Sequence, residues 1–157
     1  INPGGVFGDA LDKKGGTSIE YVRQFMKGKF PAAPKWGILI SDVKDVAKAH
    51  VACIGNTKVG GRRLIVGKEV KKLIELSQIM AETMPEYAKK LPKKELPNFM
   101  VKLISLFDSS AKTLIPDLEI VMQTDTTYAE ELLGIKFNPA KGCISETAKS
   151  VVRLGLV

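Results

Sequence analysis

The amino-acid sequence predicts an α/β protein that is rich in helices and has only a few short strands. Amphipathic stretches with a helical period of apolar residues alternate with glycine and proline. Strand-like runs are short, and they are too few to form a stable sheet by themselves. The chain opens on Ile1 followed by Asn2-Pro3-Gly4-Gly5, which is typical of a strand end that runs into a tight loop. We therefore expect the sheet to continue in a part of the protein that precedes Ile1.

The composition favours one globular domain in a reducing compartment. The 157 residues are 45% hydrophobic and 26% charged, which is enough apolar surface for a core. The longest apolar runs are too short to cross a bilayer, so we expect no membrane partner. Cys53 and Cys143 do not make a disulfide framework, and we expect a cytoplasmic protein.

The net charge of +7 raises the question of a nucleic-acid partner. The excess consists mostly of lysines on helical faces and in one turn, without interleaved aromatic residues, and only four arginines are present. This pattern is typical of solvated surfaces, so we expect no nucleic-acid binding.

The helices are predicted from apolar periodicity and from the residues at their ends. After a polar loop over Asp9 to Gly16, Thr17 and Glu20 are spaced as a capping box, and Gly28 ends the first helix. Asp42 or Asp45 is expected to cap the second helix. The remaining predicted helices are Val46 to Ile54, Val70 to Met84, Phe99 to Leu114, Asp125 or Thr127 to Leu133, and Ile144 to Leu154.

Each predicted helix has a stripe of apolar residues that we expect to face the core. These residues are Ile19, Val22, Phe25, Met26, Val70, Leu73, Ile74, Ala81, Met84, Leu103, Ile104, Phe107, Ala111, Leu114, Ile144, Ala148, Val151 and Val152.

Three runs predict strands: Trp36 to Ser41, Arg62 to Val66 and Leu118 to Met122. In the second run, Leu64 and Val66 are expected on one side and Ile65 on the other. Pro85 to Pro97 is rich in proline and lysine and predicts a connector without core periodicity.

Four partial matches to functional motifs lack residues or spacing that the motif's chemistry requires. Gly5-Val6-Phe7-Gly8 supplies only the second half of a dinucleotide fingerprint, and Gly61 to Lys68 is one residue too long for a phosphate loop. His50 and Cys53 lie one helical turn apart, but no second pair completes a metal site, so His50 is expected near the core with a backbone hydrogen bond. Glu130 and Glu131 are adjacent and point apart, which favours a solvated helix face over an acid–base couple.

Four blocks, in order along nearly the whole chain, resemble the C-terminal third to half of an extended short-chain dehydrogenase/reductase. The similarity is strongest to dihydroflavonol-reductase-like and cinnamoyl-CoA-reductase-like members of the NAD-dependent epimerase/dehydratase family. The second block is fairly specific, and order and spacing support the others. The blocks are Asn2 to Gly8, Ile40 to His50, Gly60 to Val66, and Asp125 to Phe137.

The resemblance implies a Rossmann domain with a small α-rich substrate-binding lobe, of which residues 1–157 would form the lobe and the last Rossmann elements. It also implies NADP- or NAD-dependent reduction of a ketone or aldehyde, with the cofactor bound mainly by the N-terminal half. The family's catalytic Tyr-x-x-x-Lys is not in this sequence, because Phe25, Leu91 and Leu132 stand four residues after its three tyrosines. We therefore expect no catalytic residue in this chain, and no hydride transfer by the chain alone.

Two sets of site residues follow from the resemblance. The first set matches the loop beside the nicotinamide and consists of Pro3, Gly4, Gly5 and Val6, where small residues would allow close backbone approach. The second set falls where the family lines its substrate pocket, although each residue also fits a core or surface role. It consists of Leu11, Ser18, Tyr21, Val22 and Phe25.

Two alternatives remain open from the sequence. One is a nucleotide-sugar epimerase or dehydratase of the same family, which would need residues, chiefly arginines, that bind a diphosphate. The other is a stand-alone binding domain without catalysis. If the chain is separated from a Rossmann half, uncovered strand edges and apolar faces should make it self-associate or bind that half.

Overall fold

The computed structural model describes residues 1–106, 112, 115–118, 120 and 122–157. Within these residues, short strands are distributed over three small sheets and helices form most of the regular structure. The strands are β1 (Asn2–Pro3), β2 (Gly5–Phe7), β3 (Ala33–Pro34), β4 (Gly37–Asp42), β5 (Ile65–Val66), β6 (Glu69–Lys72) and β7 (Glu95–Leu96). The helices are α1 (Thr17–Met26), α2 (Val43–Cys53), α3 (Leu73–Thr83), α4 (Asn98–Ile104), α5 (Thr127–Leu133) and α6 (Ala140–Arg153).

The largest sheet has the strand order β2-β4-β6. Strand β2 runs parallel to β4, with Gly5 opposite Ile40, and β6 runs antiparallel to β4, with Lys72 opposite Gly37. The other two sheets are the parallel pairs β1–β5 and β3–β7. The opening stretch therefore contains two strands, β1 paired with β5 and β2 paired with β4. The predicted strand end at Ile1 followed by a tight loop is wrong.

The main core lies where α1, α3 and α6 pack against the sheet. It is built from apolar side chains that are almost fully buried. These are Phe7, Val22, Phe25, Met26, Ile40, Leu76, Met80, Ile144, Ala148 and Val151. A smaller cluster joins α2, β5 and α5 through Ala49, Leu64, Val66, Ala129, Leu133 and Phe137.

Several predicted elements are confirmed with shifted ends. Strand β4 lies one residue later than predicted, and β5 contains only Ile65 and Val66 of the predicted strand Arg62 to Val66. The predicted alternation is confirmed, since Leu64 and Val66 are buried and Ile65 is exposed. Helices α2 and α6 begin three and four residues earlier than predicted, and α3 begins three residues later. Val70 is wrong as a helix residue, because it lies in β6 and pairs with Leu39 across the sheet.

The capping predictions are confirmed in part. Asp42 is the N-cap of α2, since its carboxylate accepts a hydrogen bond from the N–H of Lys44. The Thr17 to Glu20 capping box is wrong: Gly16 is the N-cap of α1, and the Glu20 carboxylate is bonded to Arg23 and Gln24 instead. Helix α5 has Thr126 at its N-cap, although the Asp125 carboxylate does accept from the Thr127 N–H.

The segment after Pro85 differs most from its prediction. The connector contains a short 3₁₀ helix at Pro85–Tyr87 and strand β7. In α4, Val101 is the buried residue, whereas Leu103 and Ile104 are 58% and 41% exposed, so their predicted core role is wrong. Phe107, Ala111 and Leu114 lie outside the described residues, and residues 118, 120 and 122 of the third predicted strand are not in a strand.

Within the described residues, none of the helices combines the length and the apolar character needed to cross a membrane.

Candidate functional site

Strands β1 and β2 are fixed by a hydroxyl that reaches across the sheet. The buried Ser41 Oγ accepts a 2.9 Å hydrogen bond from the N–H of Gly4 and donates a 2.5 Å bond to the carbonyl of Val66. A Cβ atom at Gly4 would overlap the carbonyl oxygen of Leu39. Close packing between strands therefore explains the glycine at position 4, whether or not a flat ligand also approaches it.

The loop over residues 8–16, here called the β2 loop, is held by helix α6. The N–H of Gly8 donates to Thr147 Oγ1 at 2.7 Å, and the N–H of Ala10 donates to Ser150 Oγ at 3.0 Å. Thr147 and Ser150 are almost fully buried, whereas the 2.6 Å ion pair between Arg153 and Asp9 is at the surface. Gly8 has a φ of +148°, which a residue with a side chain rarely adopts.

A first cleft of about 390 Å³ lies between the β2 loop and the start of α1. Its walls are mostly backbone, small residues and apolar side chains. They come from Gly4, Val6, Phe7, Gly8, Asp9, Gly16, Thr17, Ser18, Ile19 and Val43. Asp9 is the only charged residue among them and is paired with Arg153, so the cleft suits an uncharged planar group better than a phosphate.

A second, larger cleft of about 610 Å³ lies on the other side of α1, against α4. Tyr21 and Phe25 line it, and Phe25 makes an edge-to-face contact with Phe30 at 5.3 Å between ring centroids. The other lining residues are Thr17, Glu20, Gln24, Lys29, Pro31, Ala32, Pro34, Leu73, Leu96, Met100, Val101 and Ile104. The two clefts have only Thr17 in common.

The predicted site residues are thus distributed over two clefts and the rest of the molecule. Gly4, Val6 and Ser18 meet in the first cleft, and Tyr21 and Phe25 lie in the second. Four others line neither cleft. Pro3 is exposed in β1, Gly5 packs on Ile38, Leu11 is 91% exposed, and Val22 is 1% exposed in the core.

Two buried carboxylates near the N-terminus of α2, those of Asp42 and Asp45, share a partner that the sequence did not predict. The Nδ2 of Asn138 donates to Asp42 and Asp45 at 3.0 Å each, and its backbone N–H donates to Asp45 at 2.5 Å. Asp45 is therefore not an N-cap but a residue of the first turn whose carboxylate anchors the segment before α6. Asn138 lies 93 residues from Asp45, and no local pattern indicates that contact.

Titratable groups elsewhere form structural contacts. The hydrogen bond from Arg23 holds the pKa of Glu20 below its ordinary value, and Lys68 does the same for Glu130. Glu130 also accepts from the N–H of Phe137, so it is not the purely solvated residue that was predicted. Burial raises the pKa of the Cys143 thiol to about 12, with Asp42 as the next cause.

The structure gives no support for a metal centre in the part of the chain it describes. No group of three histidine, cysteine, aspartate or glutamate residues there could hold an ion. His50 Nδ1 lies 2.8 Å from the carbonyl of Val46, as the backbone-bonded interpretation predicts, but the side chain is exposed rather than near the core.

No family model matches the chain. Among curated proteins, it is 25% identical over 97% of its length to a Candida albicans protein named as an NADPH-dependent methylglyoxal reductase. It is 24% identical over 99% of its length to cinnamoyl-CoA reductase 1 of Petunia hybrida. The chain covers 42% and 40% of these two proteins, so it spans less than half the length of the curated relatives it matches.

The fold agrees with that relationship. The crystal structure of the yeast methylglyoxal/isovaleraldehyde reductase with NADPH superposes with a TM-score of 0.71 and 25% identity. The match covers 98% of this chain and 46% of that one, and it lies in the C-terminal part of a Rossmann-type structure. The predicted α/β class is confirmed.

Proposed function

We propose, from the homology of this chain to the extended short-chain dehydrogenase/reductases, that it is the substrate-binding lobe and the last Rossmann elements of an NADPH-dependent carbonyl reductase. The observation that carries the proposal is the first cleft. There, Gly4 and Val6 of the segment that resembles the family's nicotinamide loop meet Ser18 of α1. The names of the relatives include methylglyoxal, isovaleraldehyde and NADPH, which favours a small aldehyde or ketone as substrate.

The residues of the first cleft fit the nicotinamide end of the cofactor. Its walls carry no lysine or arginine, so the charged phosphates of the cofactor would lie outside this cleft. When bound, the cofactor would supply a hydride to the carbonyl carbon. Gly4 and Val6 would lie along the ring, and Ile19 and Ser18 would exclude water and orient the substrate.

This chain supplies no acid for that reaction, since none of its tyrosines is followed by lysine four positions later. We propose that an N-terminal Rossmann half provides the acid and most of the cofactor site, and that this half is the partner of the present chain. Cys53 and Cys143 are free thiols, which supports a reducing, cytoplasmic compartment for the complete protein.

The test uses the natural gene product, purified from its source, beside the 157-residue chain. The intact mass is measured first, and oxidation of NADPH by methylglyoxal is then followed by absorbance. We expect a mass above 17.1 kDa, turnover by the natural product and none by the chain alone. A natural product with the mass of this chain and no turnover would contradict the reductase and favour a stand-alone binding domain.

A substitution in the first cleft gives a sharper test in the natural product. Ser18→Phe should fill the cleft and raise KM for the aldehyde about tenfold or more, because the substrate would lose its position. Lys58→Ala is the control, since Lys58 is exposed and lines neither cleft. Equal KM values for the two variants would show that the first cleft does not hold the substrate.

A further inference from the structure

The second cleft joins an apolar interior to the most basic region of the described chain. Its floor and walls carry Tyr21, Phe25, Phe30, Leu73 and Val101, and its volume of about 610 Å³ falls in the ordinary range of small-molecule sites. It is separate from the first cleft, with which it shares only Thr17.

The basic region consists of residues 27–35 and 86–96, and it is here called the lysine wall. The two segments contain seven lysines and two glutamates. They run side by side, because Ala33 donates its N–H to the carbonyl of Lys94 at 2.9 Å and pairs with Glu95 in the β3–β7 sheet. A Cβ atom at Gly28 would lie 3.4 Å from Lys90.

The lysine wall contributes directly to the second cleft. Lys29, Pro31, Ala32, Pro34 and Leu96 all belong to it and all line the cleft. None of the lysines at positions 27, 29, 35, 89, 90, 93 and 94 forms an ion pair with a carboxylate of the described chain. Lys90 instead lies 5.5 Å above the ring of Tyr87.

The acidic group at the cleft is already neutralised. Glu20 accepts hydrogen bonds from Arg23 at 2.6 and 2.7 Å and from Gln24 at 2.8 Å, so both of its carboxylate oxygens are occupied. Among the charged residues that line the second cleft, only Lys29 therefore has no charged partner within the described chain. An occupant with an apolar body and a negative head complements this arrangement, whereas a cationic head would meet uncompensated positive charge.

We propose that the second cleft binds a free amphiphilic carboxylate, a molecule with an acyl or aryl body and an anionic head, with the body against Phe25 and Val101 and the head beside Lys29. This site goes beyond the proposed reductase function. It lies within the present chain, so its binding is measured without cofactor and without turnover, and it can fail while the reductase proposal stands.

The structure supplies its own reporter for binding. Trp36 is the only tryptophan of the chain, and its ring lies 6.4 Å from the ring of Tyr21, which lines the cleft. A ligand that packs against Tyr21 changes the surroundings of Trp36, so titration with dodecanoate at low ionic strength should give a saturable change in tryptophan fluorescence. Dodecyltrimethylammonium, with the same chain and a cationic head, and dodecanol, with a neutral head, are titrated in parallel.

Two variants and one control separate the charge from the cavity. Lys29→Glu should weaken dodecanoate binding about tenfold, because it replaces an attraction at the head by a repulsion. Ala32→Phe should abolish binding by filling the cleft while leaving the charge unchanged. Lys58→Glu makes the same charge change at an exposed residue that lines neither cleft, and it should alter binding less than about twofold. Circular dichroism checks that each variant is folded.

Four results would overturn the proposal. They are the absence of a saturable change, equal binding of the cationic surfactant, equal effects of Lys29→Glu and Lys58→Glu, and unchanged binding by Ala32→Phe. Sedimentation with phosphatidylglycerol vesicles that is insensitive to Ala32→Phe, without binding of free dodecanoate, would assign the lysine wall to a membrane surface instead. A dimer that Ala32→Phe dissociates, again without dodecanoate binding, would assign the cleft to a second copy of the chain.

Discussion

The backbone N–H of Gly8 donates a 2.7 Å hydrogen bond to the buried hydroxyl of Thr147, which lies 139 residues further along the chain. The same hydroxyl oxygen lies 2.9 Å from the carbonyl of Gly8 and 2.8 Å from that of Cys143. This contact couples the first residue of the β2 loop to the centre of α6. The wall of the first cleft is therefore positioned by the last helix of the fold.

Replacing Thr147 by valine should loosen the β2 loop. Valine has a similar volume but no acceptor, so the buried N–H of Gly8 would lose its partner, and we expect a loss of about 1–3 kcal/mol in the free energy of unfolding. Urea denaturation gives this value, and amide hydrogen exchange at Gly8 localises the effect. Thr147→Ser keeps the hydroxyl and should protect the Gly8 amide as the wild type does. Equal exchange rates in the valine and serine variants would argue against the coupling.

Gly4 and Gly142 offer a matched pair of substitutions. A Cβ atom at position 4 would overlap the backbone of Leu39, so Gly4→Ala should lower the melting temperature and the free energy of unfolding by about 1–3 kcal/mol. Gly142 lies inside α6 and has no atom within 4 Å of its Cβ position, so Gly142→Ala should stabilise the protein by about 0.5–1 kcal/mol. Calorimetry on both variants tests the pair, and a neutral Gly4→Ala would disprove the close approach of Gly4 to Leu39 in β4.

Local sequence signals located most helices but did not determine which of their faces are covered. The helical period placed Leu103 and Ile104 on the buried face of α4, yet both are largely exposed, and the buried residue is Val101, which was not on the predicted stripe. Periodicity identifies residues that share a face, whereas burial depends on the element that packs against that face. Glu69 to Lys72 carries one apolar residue in four, and it becomes a strand because β4 offers an unpaired edge.

The site depends even more on contacts that are distant in sequence. The resemblance to a family located the stretch from Pro3 to Phe25, but only five of the nine residues predicted there line a cleft, and these five are divided between two clefts. Hydrogen bonds such as those of Thr147 to Gly8 and Asn138 to Asp45 join residues about 90 to 140 positions apart. Serine, threonine and asparagine have no periodic signal, so sequence patterns did not reveal these contacts.

Asn138 should be important for stability because it supplies donors to two buried carboxylates. Asn138→Ala would remove the side-chain hydrogen bonds to Asp42 and Asp45. A hydrogen bond to a charged group contributes about 1.5–3 kcal/mol, so we expect the free energy of unfolding to fall by about 2–3 kcal/mol. Lys48→Ala is the control, since Lys48 approaches Asp45 at 3.6 Å from the solvent side and should have little effect. Chemical denaturation of both variants measures the difference. A larger effect of the lysine substitution would mean that the ion pair, not the amide, stabilises Asp45.

The two cysteines should differ strongly in reactivity. Cys143 is 1% exposed and its thiol has a pKa raised to about 12, whereas Cys53 is partly exposed. The thiolate is the reactive species, so a disulfide reagent should modify Cys53 alone in the native protein and both residues after unfolding. Mass spectrometry of intact and digested protein counts the labels, with Cys53→Ser as the control that should remain unlabelled.

The same raised pKa predicts how stability changes in alkali. The unfolded thiol ionises near 9.0, whereas the folded thiol keeps its proton to about 12, so the folded state binds more protons between these values. The contribution of Cys143 is therefore fully present below pH about 9 and is lost as the pH rises towards 12. Cys143→Ala should show a smaller fall in unfolding free energy across this range than the wild type. An equal fall in both proteins would place the alkaline transition elsewhere.

Helix α4 should drive self-association of the isolated chain. Phe99, Leu103 and Leu106 are 70%, 58% and 73% exposed, and together they form an apolar surface at and just after α4. Burying such a surface against a second copy or against a Rossmann half is favourable by roughly 25 cal/mol per Å² of apolar area. Leu103→Glu should therefore shift the light-scattering mass of concentrated protein towards the monomer. Leu11→Glu introduces the same charge at a more exposed leucine in the β2 loop and should leave the mass distribution unchanged. A wild-type chain that is monomeric at all concentrations, or equal responses of the two variants, would show that α4 is not an association surface.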